Sequence, residues 1–157
     1  MKVGILMGSI SDKSLAEKVQ KTLDEFGVLY ETRVISAHRT PEIAFDYAKN
    51  ARSNDISVII AIAGKAAHLA GVLAGVTTVP VIGIPAKSST MDGLDSLLSV
   101  VQMPKGIPVA TVAIDGAENA ALLSVQMLSL KDESLVQKLE DYRIKLKNDV
   151  KKMNEEL

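Results

Sequence analysis

Apolar positions along this chain follow two rhythms: short unbroken runs, and recurrences every three or four residues. The two alternate over most of its length, which predicts an α/β fold with a parallel sheet. Residues 3–7 (Val-Gly-Ile-Leu-Met) form the first candidate strand. Ser11 and Asp12 stand where a helix cap is expected, Leu15, Val19, Leu23 and Phe26 repeat at helical spacing, and Gly27 ends that element. Residues 29–35 read as a second strand. Pro41, at its favoured first helical position, opens a helix marked by Ile43, Phe45, Tyr47, Ala48 and Ala51. Residues 57–63 are apolar almost throughout, as expected of a strand covered on both faces. A small-residue helix over 67–76, a strand over 79–84, a helix over 93–102 with Leu94, Leu97, Leu98 and Val101, a fifth strand over 108–114 and a helix over 117–130 complete the alternation.

From Asp132 onward the pattern changes. Leu135, Leu139, Tyr142, Leu146, Val150 and Met153 recur among many charges, predicting one amphipathic helix with a narrow apolar stripe. Periodicity leaves two readings open: the helix packs on its own domain, or it crosses to a neighbouring subunit. No internal repeat or linker marks a second domain, and 157 residues suit one.

Composition narrows the picture. Hydrophobic residues make up 47% of the chain but aromatics only 3%, so the core is built from Ala, Val, Ile and Leu, and helices can approach the sheet closely. A formal net charge of -1 argues against a nucleic-acid polymer as partner. The absence of cysteine removes disulfides and thiolate metal sites together. The apolar run at residues 3–7 is too short for a signal peptide, and no segment has the length of a membrane span, so a cytoplasmic protein is expected.

Open parallel sheets bind ligands at the carboxyl ends of their strands, so the segments just after each strand carry the chemistry. After the first comes Gly8-Ser9-Ile10-Ser11-Asp12, read either as an anion cradle at a helix start or as an ordinary helix cap, which is the simpler account of this segment alone. After the second comes Ser36-Ala37-His38-Arg39-Thr40-Pro41. Arginine can fork onto a phosphate or carboxylate, and histidine is the residue type that exchanges protons near neutral pH without environmental help. After the third comes Gly64-Lys65-Ala66-Ala67-His68-Leu69, a tight loop whose backbone suits ligand contact better than its imidazole. His68 is expected to cap or pack at the head of the following helix, and Lys65 to reach water. No Walker loop, dinucleotide glycine motif or metal-spaced His/Asp cluster is present, and the first and third strands do not end in the carboxylates of a phosphoacceptor receiver domain.

Together these segments resemble the PurE family, as do residues 93–104 (Gly-Leu-Asp-Ser-Leu-Leu-Ser-Val-Val-Gln-Met-Pro), 106–114 and 119–123; the likeness covers nearly the whole chain except the terminal helix. Lys65, where glycine is common, and Ala70, where proline is frequent, depart from the family pattern. The resemblance implies a three-layer, doubly wound, flavodoxin-like sheet of about five parallel strands and a homo-octamer. It implies interconversion of N5-carboxyaminoimidazole ribonucleotide and its 4-carboxy isomer in purine (IMP) biosynthesis, without cofactor or metal, downstream of an ATP-dependent synthetase that makes the carbamate. Arg39 and His68 match the mutase type rather than the carboxylase that uses free CO2. The resemblance further implies His38 as the acid–base group, Ser9, Asp12 and Arg39 gripping the ribonucleotide, and Ser11, Ser36, Gly64, Lys65, Ala66, Ala67, His68 and Leu69 forming the walls. A flavodoxin-like module that binds a nucleotide or flavin without turnover is the rival from another class.

Overall fold

A computed structural model describes residues 1–157. Its strands β1 (Lys2–Met7), β2 (Tyr30–Val34), β3 (Ile56–Gly64), β4 (Val81–Ala86) and β5 (Ala110–Thr111) form one parallel sheet in the order β2-β1-β3-β4-β5. Helices α1 (Lys13–Phe26), α2 (Pro41–Asn50), α3 (Leu69–Ala74), α4 (Leu94–Val101), α5 (Ala117–Ser129) and α6 (Ser134–Glu155) follow the alternation, and a short 3-10 turn (Ile10–Asp12) precedes α1. The expected fold is present: a doubly wound, flavodoxin-like sheet with helices on both faces.

Strand pleating divides the core. Val3, Ile5 and Met7 of β1, Val58, Ile60 and Ile62 of β3, and Ile82 and Ile84 of β4 project onto the face covered by α1 and α5. Leu6, Ile59, Ala61 and Val81 project onto the opposite face, beneath α2, α3 and α4. On that second face two strands carry glycine, and the helices come close there. A Cβ on Gly4 would collide with the Tyr47 hydroxyl of α2, and one on Gly83 with Val100 of α4. Few aromatics and many small residues thus become a thin helix–sheet interface. Burial and the neighbouring Glu31 carboxylate push the Tyr47 hydroxyl up from its ordinary range, while the Lys2 ammonium holds Glu31 down.

Helix ends follow local chemistry. Gly27, at φ 68°, adopts the left-handed turn that stops α1, and its N–H bonds back to the carbonyls of Leu23 and Asp24. The fifth strand is a correction: seven residues were expected, and only Ala110–Thr111 pair with Ile82 and Gly83. Pro85, two residues further along β4, has no N–H to donate to an edge strand. Beyond Thr111 only single bonds remain, from the Val112 N–H to the Gly83 carbonyl and from the Asp115 N–H to the Pro85 carbonyl.

Helix α4 also differs from its sequence stripe. Ser96 and Val100 face inward, while Leu94, Leu98 and Val101 are exposed. Val100 fills the space above Gly83, and the Ser96 hydroxyl bridges the carbonyls of Ala86 and Gly93 at 2.7 and 2.8 Å. Similarly, α3 spends its small residues inside its own chain: Ala70 and Leu73 are buried, and Gly71 abuts the Met103 sulfur.

The first of the two readings of the terminal helix holds for its first half. Leu135 is buried, Leu139 and Tyr142 pack on the first core, Tyr142 lies 5.7 Å from the Phe26 ring, and Lys138 Nζ donates to the Phe26 carbonyl at 2.7 Å. The first half therefore packs on its own chain. Past Tyr142, Leu146, Val150 and Met153 are exposed. No helix is long and apolar enough to cross a membrane.

Candidate active site

The strand order reverses direction between β1 and β3, and at their carboxyl ends opens a cleft of about 610 Å³. A crevice at this switch point is where such sheets hold ligands, and the volume lies in the range of small-molecule sites. It is lined by residues from the loops after β1, β2, β3 and β4.

The loop after β1 settles its own capping question. Ser9 is the cap of the short 3-10 turn, its Oγ accepting from the Ser11 N–H at 3.3 Å. Asp12 makes no side-chain cap bond to α1, and its carboxylate stands at the cleft wall with Ser9 and Ser11. Burial pushes the Asp12 carboxyl up, outweighing the hydrogen bonds from Ser9 and Ser11 that pull it down.

The loop after β2 is closed rather than open. Thr40 Oγ donates to the Ser36 carbonyl at 2.9 Å and accepts from the Ser36 N–H at 3.2 Å, while the Thr40 N–H donates to the same carbonyl at 2.8 Å. These bonds pinch both ends of the turn that presents His38 and Arg39. Arg39 Nε donates to Ser36 Oγ at 3.2 Å, and its Nη2 to the Gly8 carbonyl at 3.2 Å. The guanidinium is thereby held against the end of β1, with further N–H donors to spare.

After β3, Lys65 takes the left-handed conformation at φ 55°, and bonds from the Ala67 N–H to the Lys65 carbonyl and from the His68 N–H to the Ala66 carbonyl tighten the turn. Gly64, Lys65, Ala66 and Leu69 line the cleft. Ala67 does not: it is buried in the core beneath α3. His68 corrects the expectation of a cap or packing residue. Its side chain makes no cap bond, it is exposed, and its Nδ1 lies 3.0 Å from His38 Nε2 with the two rings edge to face at 84°. One imidazole must donate and the other accept across that contact, so each fixes the other's tautomer.

Sequence reasoning missed the loop after β4. Lys87, Ser88 and Ser89 line the cleft, with Ala37 from the β2 loop. The strand-end rule would have found them, since Lys87 follows β4 directly. The Lys87 N–H donates to Asp115 Oδ1 at 2.8 Å, and Ser88 Oγ donates to the Asp95 carboxylate at 2.9 Å. Cations dominate the lining: Arg39, Lys65 and Lys87 against the single carboxylate of Asp12.

Comparisons with known proteins agree with this fold. The family model described as AIR carboxylase matches residues 2–149. An N5-carboxyaminoimidazole ribonucleotide mutase of Pyrococcus abyssi is 58% identical over 146 residues, which cover 93% of this chain and 84% of that protein. The mutase of the same name from Thermotoga maritima is 51% identical over 149 residues, 95% of this chain and 87% of that one. The crystal structure of Treponema denticola PurE superposes with a TM-score of 0.90 at 33% identity, covering 99% of this chain and 97% of that chain. With the switch-point cleft, the His-Arg turn and a family match over nearly its whole length, this chain belongs to the AIR carboxylase family.

Proposed function

We propose that this protein is a mutase that interconverts N5-carboxyaminoimidazole ribonucleotide and 4-carboxy-5-aminoimidazole ribonucleotide in de novo purine biosynthesis. The observation that carries this reading is the pairing of His38 with His68 beside Arg39 at the mouth of one cation-lined cleft. Relatives more than half identical bear the mutase name.

In the proposed mechanism, protonated His38 delivers its proton to N5 of the carbamate. The N5–carboxyl bond breaks with its electron pair going to N5, releasing CO2 beside aminoimidazole ribonucleotide. The electron-rich C4 attacks the CO2 carbon, and the C4 proton returns to His38 as aromaticity is restored. Protons balance over the cycle, so one imidazole serves both steps. The carbamate is already activated, and the residues supply acid–base chemistry, anchoring and exclusion of water from the trapped CO2. Ser9, Asp12 and Arg39 grip the ribonucleotide, Arg39 on the 5′-phosphate and Asp12 on ribose hydroxyls, and Ser11, Ser36, Gly64, Ala66 and Leu69 complete the walls. The deciding experiment supplies the carbamate and, separately, aminoimidazole ribonucleotide with bicarbonate. Turnover of the carbamate at low CO2 is the expected result; turnover of the second mixture alone would make the protein a CO2-using carboxylase, and binding without turnover would make it a nucleotide-binding module.

Arg39 acts alike on substrate and transition state in this scheme. Arg39→Ala is therefore expected to raise KM more than it lowers kcat, with Arg39→Lys a partial rescue because it keeps the charge and loses the fork. A collapse of kcat at unchanged KM would move Arg39 from the anchor to the chemistry.

Homo-octameric assembly belongs to the same reading. Its support is the exposed apolar stripe of Leu94, Leu98 and Val101 on α4, Ile43 and Phe45 on α2, and the second half of α6. Light scattering is expected to give eight chains per particle; a monomer at micromolar concentration would refute it.

A further inference from the structure

Two lysines at the cleft have no task in the mechanism above, and we propose that Lys65 and Lys87 form a second anion anchor, one that recognises the nucleotide's carboxylate and so separates carboxylated ligands from the decarboxylated one. The proposal rests on assigning the cleft to an aminoimidazole ribonucleotide. Its carboxylated forms carry negative charge at two places, the phosphate and the carboxylate at the ring, and the decarboxylated form only at the first. Arg39 is tethered to Ser36 and Gly8 on the β1–β2 side, so one guanidinium held there serves one of them.

The register of the sheet starts the other two cationic residues from adjacent positions. Gly64 of β3 pairs with Ala86 of β4, and Lys65 and Lys87 are the next residues of those adjoining strands. Both line the cleft, on the side away from Arg39. Like charges leaving neighbouring strands side by side repel each other, and an anion between them reverses the sign of that interaction.

Neither ammonium group has an internal use that would explain it. Lys65 takes part in no ion pair, and the single partner of Lys87 is Asp92 at 3.5 Å, whose side chain is 88% exposed and contributes little. Lys65 also holds a left-handed backbone, φ 55°, where glycine would sit without cost. A side chain kept at a strained position on a ligand cleft points to use of that side chain. The stems are meanwhile well rooted: the Lys87 N–H is fixed by Asp115, and Ser99 Oγ reaches the Lys65 carbonyl at 3.5 Å. Fixed stems with one ammonium group unpaired and the other only weakly paired suit an anchor that closes on a ligand.

The test measures dissociation constants of 4-carboxy-5-aminoimidazole ribonucleotide and of aminoimidazole ribonucleotide by calorimetry. The proteins are the unaltered chain, Lys87→Gln, the double variant Lys65→Gly/Lys87→Gln, and Arg39→Ala. The double variant is expected to bind the carboxylated nucleotide about tenfold or more weakly, with Lys87→Gln intermediate, while the decarboxylated nucleotide binds unchanged. Arg39→Ala should weaken both ligands alike. Equal weakening of both ligands by the lysine variants would reduce the pair to diffuse charge, and no weakening of either would make them solvated surface groups; both outcomes overturn the proposal. If the unaltered protein bound neither nucleotide, the assignment of the cleft would fall first, and the anchor with it.

Discussion

Replacement of His38 by Asn is expected to leave a folded protein that still binds the nucleotide while kcat falls by at least about 100-fold. Asn preserves much of the size and some hydrogen bonding of the ring but cannot pass a proton between N5 and C4. The fold has little to lose, because His38 is exposed and its turn is closed by Ser36 and Thr40 rather than by the imidazole. Steady-state kcat together with a nucleotide dissociation constant separates loss of chemistry from loss of binding. His68→Asn is expected to cost less, yet more than a remote surface change, because it removes the partner that sets the tautomer and orientation of His38. A positioning role of this kind displaces the pH–rate profile, which a purely structural defect would not do. Near-normal turnover in the His38 variant beside a dead His68 variant would exchange the two roles.

Gly83→Val is expected to destabilise the protein by about 3 kcal/mol, lowering its thermal midpoint by roughly 6–12 °C at equal protein concentration. Gly83 lies on β4 between Ala61 of β3 and Thr111 of β5. A Cβ there would run into Val100 Cγ1 and meet Val109 Cγ1 at 3.2 Å and Ala70 Cβ at 3.3 Å. These neighbours are packed core rather than ends of flexible chains, so α4 must lift from the sheet. That movement would also strain the Ser96 bridge from Ala86 to Gly93, which closes the loop carrying Lys87 and Ser88. Turnover should therefore fall along with stability. Gly106→Ala supplies the contrast: nothing lies within 4 Å of its added Cβ, and only its φ of 97° opposes the change, a cost of about 1 kcal/mol. Equal losses in the two variants would show that the close approach of α4 to Gly83 contributes nothing to stability.

Much of the architecture is local in origin and was legible for that reason. Apolar runs and helical spacing gave the order of strands and helices, because burial on both faces of a parallel sheet and on one stripe of a helix leaves different periods. Proline at the start of α2 and glycine after α1 marked ends through their own backbone preferences. Where local chemistry meets a neighbouring element, the reading weakened. The fifth strand is short where Pro85 on the neighbouring β4 offers no N–H, a feature outside the strand's own segment. On α4, Ser96 and Val100 turn inward although leucines on the other side are more apolar, since Ala86 offers a carbonyl to Ser96 and Gly83 leaves room for Val100.

By itself the sequence determined which segments would meet at one edge of the sheet, because every strand of a parallel sheet ends on the same side as the others. It named Ser9, Asp12, His38 and Arg39 in loops that do line one cleft. Only the tertiary structure decided how those side chains face one another. His38 and His68 are 30 residues apart, and their 3.0 Å contact depends on β1 lying between β2 and β3, on the bonds that pinch the Ser36–Thr40 turn, and on the left-handed turn at Lys65. Likewise the placing of Lys65 and Lys87 at adjoining strand ends follows from the pairing of Gly64 with Ala86. Such distances are sums over strand order, register and turn geometry, and no pattern within a single segment records them.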